Sequence, residues 1–153
     1  MPSLTDTFIS NCKSWDEFVS RINQLDDNIQ KGHLFERLTQ IYLLNTSTYS
    51  SKLINVWWCN NKGELPSNIQ KKLNLPKEDE GIDLICETVD GDFWSVQSKY
   101  KANQDKAPTR KELSTFEALS FNTCKNISLA IVVHTSNKPV KKSSLMPNVT
   151  EIG

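Results

Sequence analysis

The chain lacks a CxxC pair. Its four cysteines, Cys12, Cys59, Cys86 and Cys124, stand 47, 27 and 38 residues apart, and only His33 and His134 could join them in a ligand set. That spacing argues against a zinc site and for reduced thiols in a cytoplasmic protein. Also missing is any apolar run approaching the ~20 residues that cross a bilayer, so no membrane helix is expected. The first stretch, MPSLTDTFISNCKSWDEF, has acids and no basic region ahead of an apolar segment, which predicts no secretory signal. Internal repeats and low-complexity blocks are absent as well.

What remains is one domain's worth of chain. At 153 residues, 37% hydrophobic and 24% charged, the composition is that of a globular protein over 1–153. The net charge is zero but unevenly spread. Residues 1–96 hold 9 Lys/Arg and 14 Asp/Glu (−5), whereas residues 97–153 hold 9 and 4 (+5). A basic half that begins at Lys99 suits a polyanionic partner, and solvated lysines account for it nearly as well.

Periodicity supplies the elements. Ser14-Trp15-Asp16-Glu17 fits a capping box that opens a helix over 14–25, burying Trp15, Phe18, Ile22 and Leu25. A second helix is expected over 30–44 on Leu34, Phe35, Leu38, Ile41 and Tyr42, with Thr46-Ser47-Thr48 as loop. KLINVWWC, 52–59, is β-branched and aromatic enough for a strand. PSNIQKKLNL suits a short helix with Pro66 at its first turn. Two strands follow, 82–88 and 93–100, joined by a hairpin signal around Asp90-Gly91. Pro108-Thr109 opens another helix, with Thr109 and Glu112 as a second capping box and Leu113, Phe116 and Leu119 on one side. SLAIVVHT, 128–135, is apolar on both faces, as a central strand must be, and Val149–Ile152 suits an edge strand. The expected class is α/β or α+β, a mixed sheet with helices against it. An end without a capping element predicts an N-terminal piece of a longer protein.

Chemistry concentrates in the hairpin. Alternation sends Ser95, Gln97 and Lys99 to one face and Trp94, Val96 and Ser98 to the other. A two- or four-residue turn sets Asp83 opposite Ser98, on the wrong side. A three-residue loop, Val89–Gly91, sets it opposite Gln97, so an odd-length turn or a bulge is predicted. A carboxylate, an amide oxygen and a strand carbonyl near Ser98 suit a hard divalent cation such as Mg²⁺. Lys99 beside them orients an attacking water and stabilises charge growing on a phosphate. A hairpin with one solvated polar face is the competing account.

Three blocks weigh against that account: Gly32-His33-Leu34-Phe35-Glu36, Asp79-Glu80-Gly81-Ile82-Asp83 and Gln97-Ser98-Lys99-Tyr100. In this order they resemble the PD-(D/E)xK nucleases, within them the Mrr-like restriction endonuclease group. The likeness spans about residues 30–135. It implies a restriction-endonuclease-like mixed sheet flanked by helices and Mg²⁺-dependent hydrolysis of DNA phosphodiesters, with Mn²⁺ as a substitute. It implies Asp83 as principal metal ligand, Gln97 in place of the more usual second acid, Lys99 as catalytic lysine and Glu36 as auxiliary acid from the helix. Asp79 or Glu80 are lesser candidates to assist. Candidate partners are double-stranded DNA, a fused or associated helicase or translocase domain, and a second copy of the chain. A module of the same fold that binds DNA without cleaving it is the alternative.

The residues themselves qualify this picture. With the apolar stripe centred on Leu38, Glu36 lies about 160° away, where a solvated glutamate is the default. It reaches a metal only if its helix lies between core and active face, with Leu43 on that second side. His33 suits a surface or DNA-contacting role. Lys101, Lys106, Arg110 and Lys111 could grip backbone phosphates. Of Trp57 and Trp58, one at most is free to stack on bases, and core packing is favoured for both. Ser95 and Cys86 lack a neighbouring histidine, which leaves nucleophilic catalysis without support.

Overall fold

Period-2 and period-3.6 patterning sort this chain into strands and helices much as its spacing predicts. A computed structural model describes residues 14–59, 64–75, 81–100, 106–136, 138–140 and 148–152. Cys12, Asp79, Glu80 and Lys101, and the side chains of Trp15 and Glu112, lie outside the described set. The order is α1 (Trp15–Asn23), α2 (Asn28–Asn45), α3 (Ser47–Ser50), β1 (Leu53–Trp58), α4 (Ser67–Leu73), β2 (Leu84–Thr88) and β3 (Phe93–Lys99). Then come α5 (Arg110–Ala118), a π-helical segment (Leu119–Thr123), β4 (Ile127–His134) and β5 (Val149–Ile152). No helix among the described residues is long and apolar enough to cross a membrane.

The strands form one mixed sheet in the order β1-β2-β3-β4-β5. The pairs β1/β2 and β2/β3 are antiparallel, β3/β4 and β4/β5 parallel. Each face carries its own core. Ile85, Phe93, Ala130 and Val132 pack with Leu113, Phe116 and Leu119 of the α5 layer. Val56, Leu84, Cys86, Val96, Ile131 and Val133 pack with Phe18, Ile22, Leu34, Phe35 and Leu43 of the α1/α2 layer. This explains the unbroken apolar run of β4: alternate residues enter opposite cores.

Local signals account for the boundaries. Glu17 N–H donates to Ser14 Oγ at 3.1 Å, capping α1. The Thr46–Thr48 stretch, expected as loop, instead makes the single turn α3, because Thr46 O accepts from Tyr49 N–H at 2.9 Å and Ser50 N–H at 2.8 Å. Tyr49 rests against Tyr42 with ring centroids 6.3 Å apart, a contact four residues of polar sequence do not announce.

The β2–β3 hairpin has the odd-length loop expected of it. Thr88 N–H donates to Asp92 O at 2.9 Å and Gly91 N–H to Thr88 O at 3.1 Å, enclosing Val89, Asp90 and Gly91. Gly91 takes φ 89°, a left-handed value that costs a side-chain-bearing residue and not glycine. The register that follows, Leu84↔Val96 and Ile85↔Ser95, places Asp83 beside Gln97 one step on.

Candidate active site

The β2–β3 ladder ends where the polar residues begin. Asp83 N–H still donates to Val96 O at 2.9 Å, and Cys59 N–H donates to Asp83 O at 2.9 Å. Ile82 and Ile85 enter the same core although they are three apart, so the pleat breaks at Ile82-Asp83. In the gap that opens, the Asp83 carboxylate takes the place of the missing ladder partner. Its Oδ2 accepts from Ser98 N–H at 2.9 Å and lies 3.4 Å from Ser98 Oγ. The carboxylate therefore sits against the residue between Gln97 and Lys99, and it is 9% exposed.

Gln97 is 5% exposed and lies on the α5 face, two residues from Ser95, whose hydroxyl meets that of Ser120 at 2.7 Å. Its Nε2 donates to Gly81 O at 3.1 Å. Its Oε1 is buried and has no hydrogen-bond partner among the described residues. An orphaned buried amide oxygen costs free energy unless something electropositive meets it. The donor set of Asp83 carboxylate and Gln97 Oε1 thus fits a hard, oxygen-seeking divalent cation. Among the described residues no group of three or more His, Cys, Asp or Glu side chains gathers for a metal.

Lys99 ends β3, half-buried, and pairs in register with His134 of β4; its carbonyl accepts from Thr135 N–H at 3.3 Å. By alternation its side chain shares the face of Gln97. The neighbouring strand end is held by a feature the spacing did not reveal. His134 Nδ1 accepts from Ser136 N–H at 3.1 Å, so Nε2 carries the ring hydrogen and donates to Glu151 at 2.9 Å. Glu151 Oε2 also accepts from Val140 N–H at 2.9 Å. The strand against which Lys99 pairs is thereby tied to β5.

Glu36 departs from its default. It is 7% exposed rather than solvated, and its Oε2 accepts from Trp58 Nε1 at 2.9 Å. The sheet-facing arc of α2 runs through Phe35, Thr39 and Leu43, all at 2% exposure or less, and not through a stripe centred on Leu38. Thr39 and Gln40 hid that arc from hydropathy because they are polar, yet each is hydrogen-bonded: Thr39 Oγ1 to Phe35 O at 2.8 Å, Gln40 Nε2 to Val56 O at 2.7 Å. Leu43 is buried on the same side, which is the condition for Glu36 to face inward. Trp58 precedes Cys59, whose amide meets Asp83, so Glu36 and Asp83 occupy the same end of the sheet. His33 is exposed and meets Trp58 edge-on, centroids 5.8 Å apart. Trp57 and Trp58 pack into opposite cores, as adjacent strand residues must.

Lys106, Arg110 and Lys111 are exposed. Ser120 near the end of the α5 unit meets mid-β3 at Ser95, and Thr115 in the preceding turns lies beside Gly81.

Comparison with known proteins agrees with this architecture. A family model described as restriction endonuclease, of the Mrr catalytic type, matches residues 44–148, which include Asp83, Gln97 and Lys99 and leave Glu36 outside. No curated protein sequence matches the chain. Among solved structures, the ATP-dependent Type ISP restriction-modification enzyme LlaBIII bound to DNA superposes with a TM-score of 0.62 at 22% identity. The superposition covers 92% of this chain and 8% of that one, so this chain spans a small fraction of that enzyme and shares its fold there. With more than half its length matched by the family model, the chain belongs to the restriction endonuclease family.

Proposed function

We propose that this domain is a metal-dependent DNA endonuclease, acting on double-stranded DNA in restriction or repair. The observation that carries the reading is the buried Gln97 Oε1, without a partner among the described residues, on the strand whose Ser98 N–H pins the Asp83 carboxylate. Asp83 and Gln97 Oε1 are the residues to hold Mg²⁺ or Mn²⁺, and Glu36 is the auxiliary acid. When bound, the ion supplies Lewis-acid stabilisation of charge on the phosphate. Lys99 orients the attacking water and meets charge that grows on the phosphate oxygens. Lys106, Arg110 and Lys111, with Lys101 outside the described residues, hold backbone phosphates and make binding salt-dependent. In the structural neighbour this fold sits inside an ATP-dependent enzyme bound to DNA, which supports the same setting for this domain.

The test is plasmid nicking with Mg²⁺ or Mn²⁺, comparing the native protein with Asp83→Ala and Lys99→Ala. Cleavage that falls by about 10²-fold or more in both variants is expected, the usual cost of losing a transition-state electrostatic partner. Equal activity in all three proteins would show a contaminant and defeat the reading. DNA binding by the native protein with no cleavage under either ion would assign it instead to a binding module of the same fold.

A further inference from the structure

We propose that Gly81 is a positioning residue: its carbonyl sets the orientation of the Gln97 amide and makes position 97 select an amide over a carboxylate. The ligand role of Gln97 rests on the function proposed above; the orientation itself does not.

The two ends of a primary amide differ in kind, one donating twice and the other only accepting. A carbonyl oxygen has no hydrogen to give. Gly81 O, 3.1 Å from the Gln97 amide, therefore takes Nε2 and turns Oε1 the other way. Flipping the amide would set two acceptors against each other at a residue 5% exposed, where little water screens the repulsion. The flip would also spend the single oxygen of the side chain on the backbone. The observed orientation leaves Oε1 for the site instead.

Gly81 presents that carbonyl because its backbone adopts φ 125°, which an L side chain rarely tolerates. Space is not what selects glycine. A Cβ there would meet Leu119 Cδ1 and Thr115 Cγ2 at 3.5 Å, ordinary contact distances. The backbone angle is what excludes other residues, and through it the carbonyl is aimed.

A glutamate at 97 would place a carboxylate oxygen against Gly81 O, two acceptors with no hydrogen to share. Gln97 is thus a matched part of this site, and restoring an acid there worsens the fit.

The test uses the full chain, first without metal. Hydrogen exchange of the Gln97 side-chain amide, read by ¹⁵N NMR, is expected to be at least about tenfold slower than that of an exposed glutamine, tenfold being the signature of a bond held closed nine times in ten or better. Gly81→Ala, checked for folding by circular dichroism, is expected to speed it. Gln97→Glu is expected to unfold at lower urea than the native protein at pH 8 and, in Mg²⁺ titration calorimetry, to bind no more tightly. Exchange at the free rate in the native protein overturns the proposal, as does a Gln97→Glu variant at least as stable and binding Mg²⁺ tenfold more tightly. If the native protein neither binds Mg²⁺ nor cuts DNA, the nuclease reading fails, while exchange and urea midpoints on metal-free protein still decide the orientation.

Discussion

Trp58 donates its indole N–H to Glu36 Oε2 at 2.9 Å, joining the last residue of β1 to the middle of α2. The carboxylate is 7% exposed, so this bond offsets part of a substantial desolvation cost. Trp58→Phe keeps most of the packing and deletes the donor. Urea denaturation is expected to show a loss of about 1–3 kcal/mol, the range for removing one partner from a buried polar group. An unchanged midpoint would mean that other contacts hold Glu36 alone.

The outer edge of β1 is closed by side chains. Gln40 Nε2 donates to Val56 O at 2.7 Å and to Glu64, Glu64 Oε1 accepts from Trp58 N–H at 2.8 Å, and Arg37 donates to Gln40 Oε1 at 2.6 Å. An open strand edge is a template for pairing with another chain. Glu64→Ala is expected to cost about 1–3 kcal/mol in urea and to produce concentration-dependent association in sedimentation velocity. A variant that stays monodisperse at all concentrations would show that the carboxylate does not guard the edge.

Glu117 of α5 is 5% exposed, and its Oε1 has no hydrogen-bond partner among the described residues. Burial pushes its carboxyl above the ordinary 4.5, with Arg110 pulling partly back. The folded protein therefore holds this proton more tightly than the unfolded chain does. Stability from this group is full below about pH 4.5 and falls as pH rises through the folded value. Glu117→Gln is expected to raise Tm at pH 8 by about 2–4 °C, the shift that ~1 kcal/mol produces in a domain of this size, and to leave Tm at pH 4 unchanged. Equal Tm at both pH values would refute this.

Burial pushes the Cys86 thiol up to about 12 and that of Cys124 up to about 11. At pH 8 on the order of one Cys124 in a thousand is thiolate, and Cys86 is poorer still. Labelling with a disulfide reagent, mapped by mass spectrometry, is expected to reach these two cysteines only at the rate of unfolding. Fast modification of either in native buffer would contradict their placement in the two cores.

Much of the architecture was written in short-range spacing. The three-residue loop at Val89–Gly91 follows from asking which turn sets Asp83 beside Gln97. The doubly buried β4 follows from an apolar run without alternation, and the α1 cap from Ser14 three residues before Glu17. Each depends on residues a few positions apart, where strand and helix periods act directly.

What the amino-acid order alone determined is therefore the strands, the longer helices and the register that brings the polar residues to one strand end. Tertiary structure decided how those groups are finished. Glu36 meets Trp58 across 22 residues, Gln40 meets Val56 across 16, and Gln97 meets Gly81 across 16. Such bonds turn inward residues that hydropathy assigns to solvent, and they orient an amide whose two ends look alike in sequence. Their geometry exists only once both cores have packed, because a buried polar group takes its direction from whichever partner the fold delivers to it.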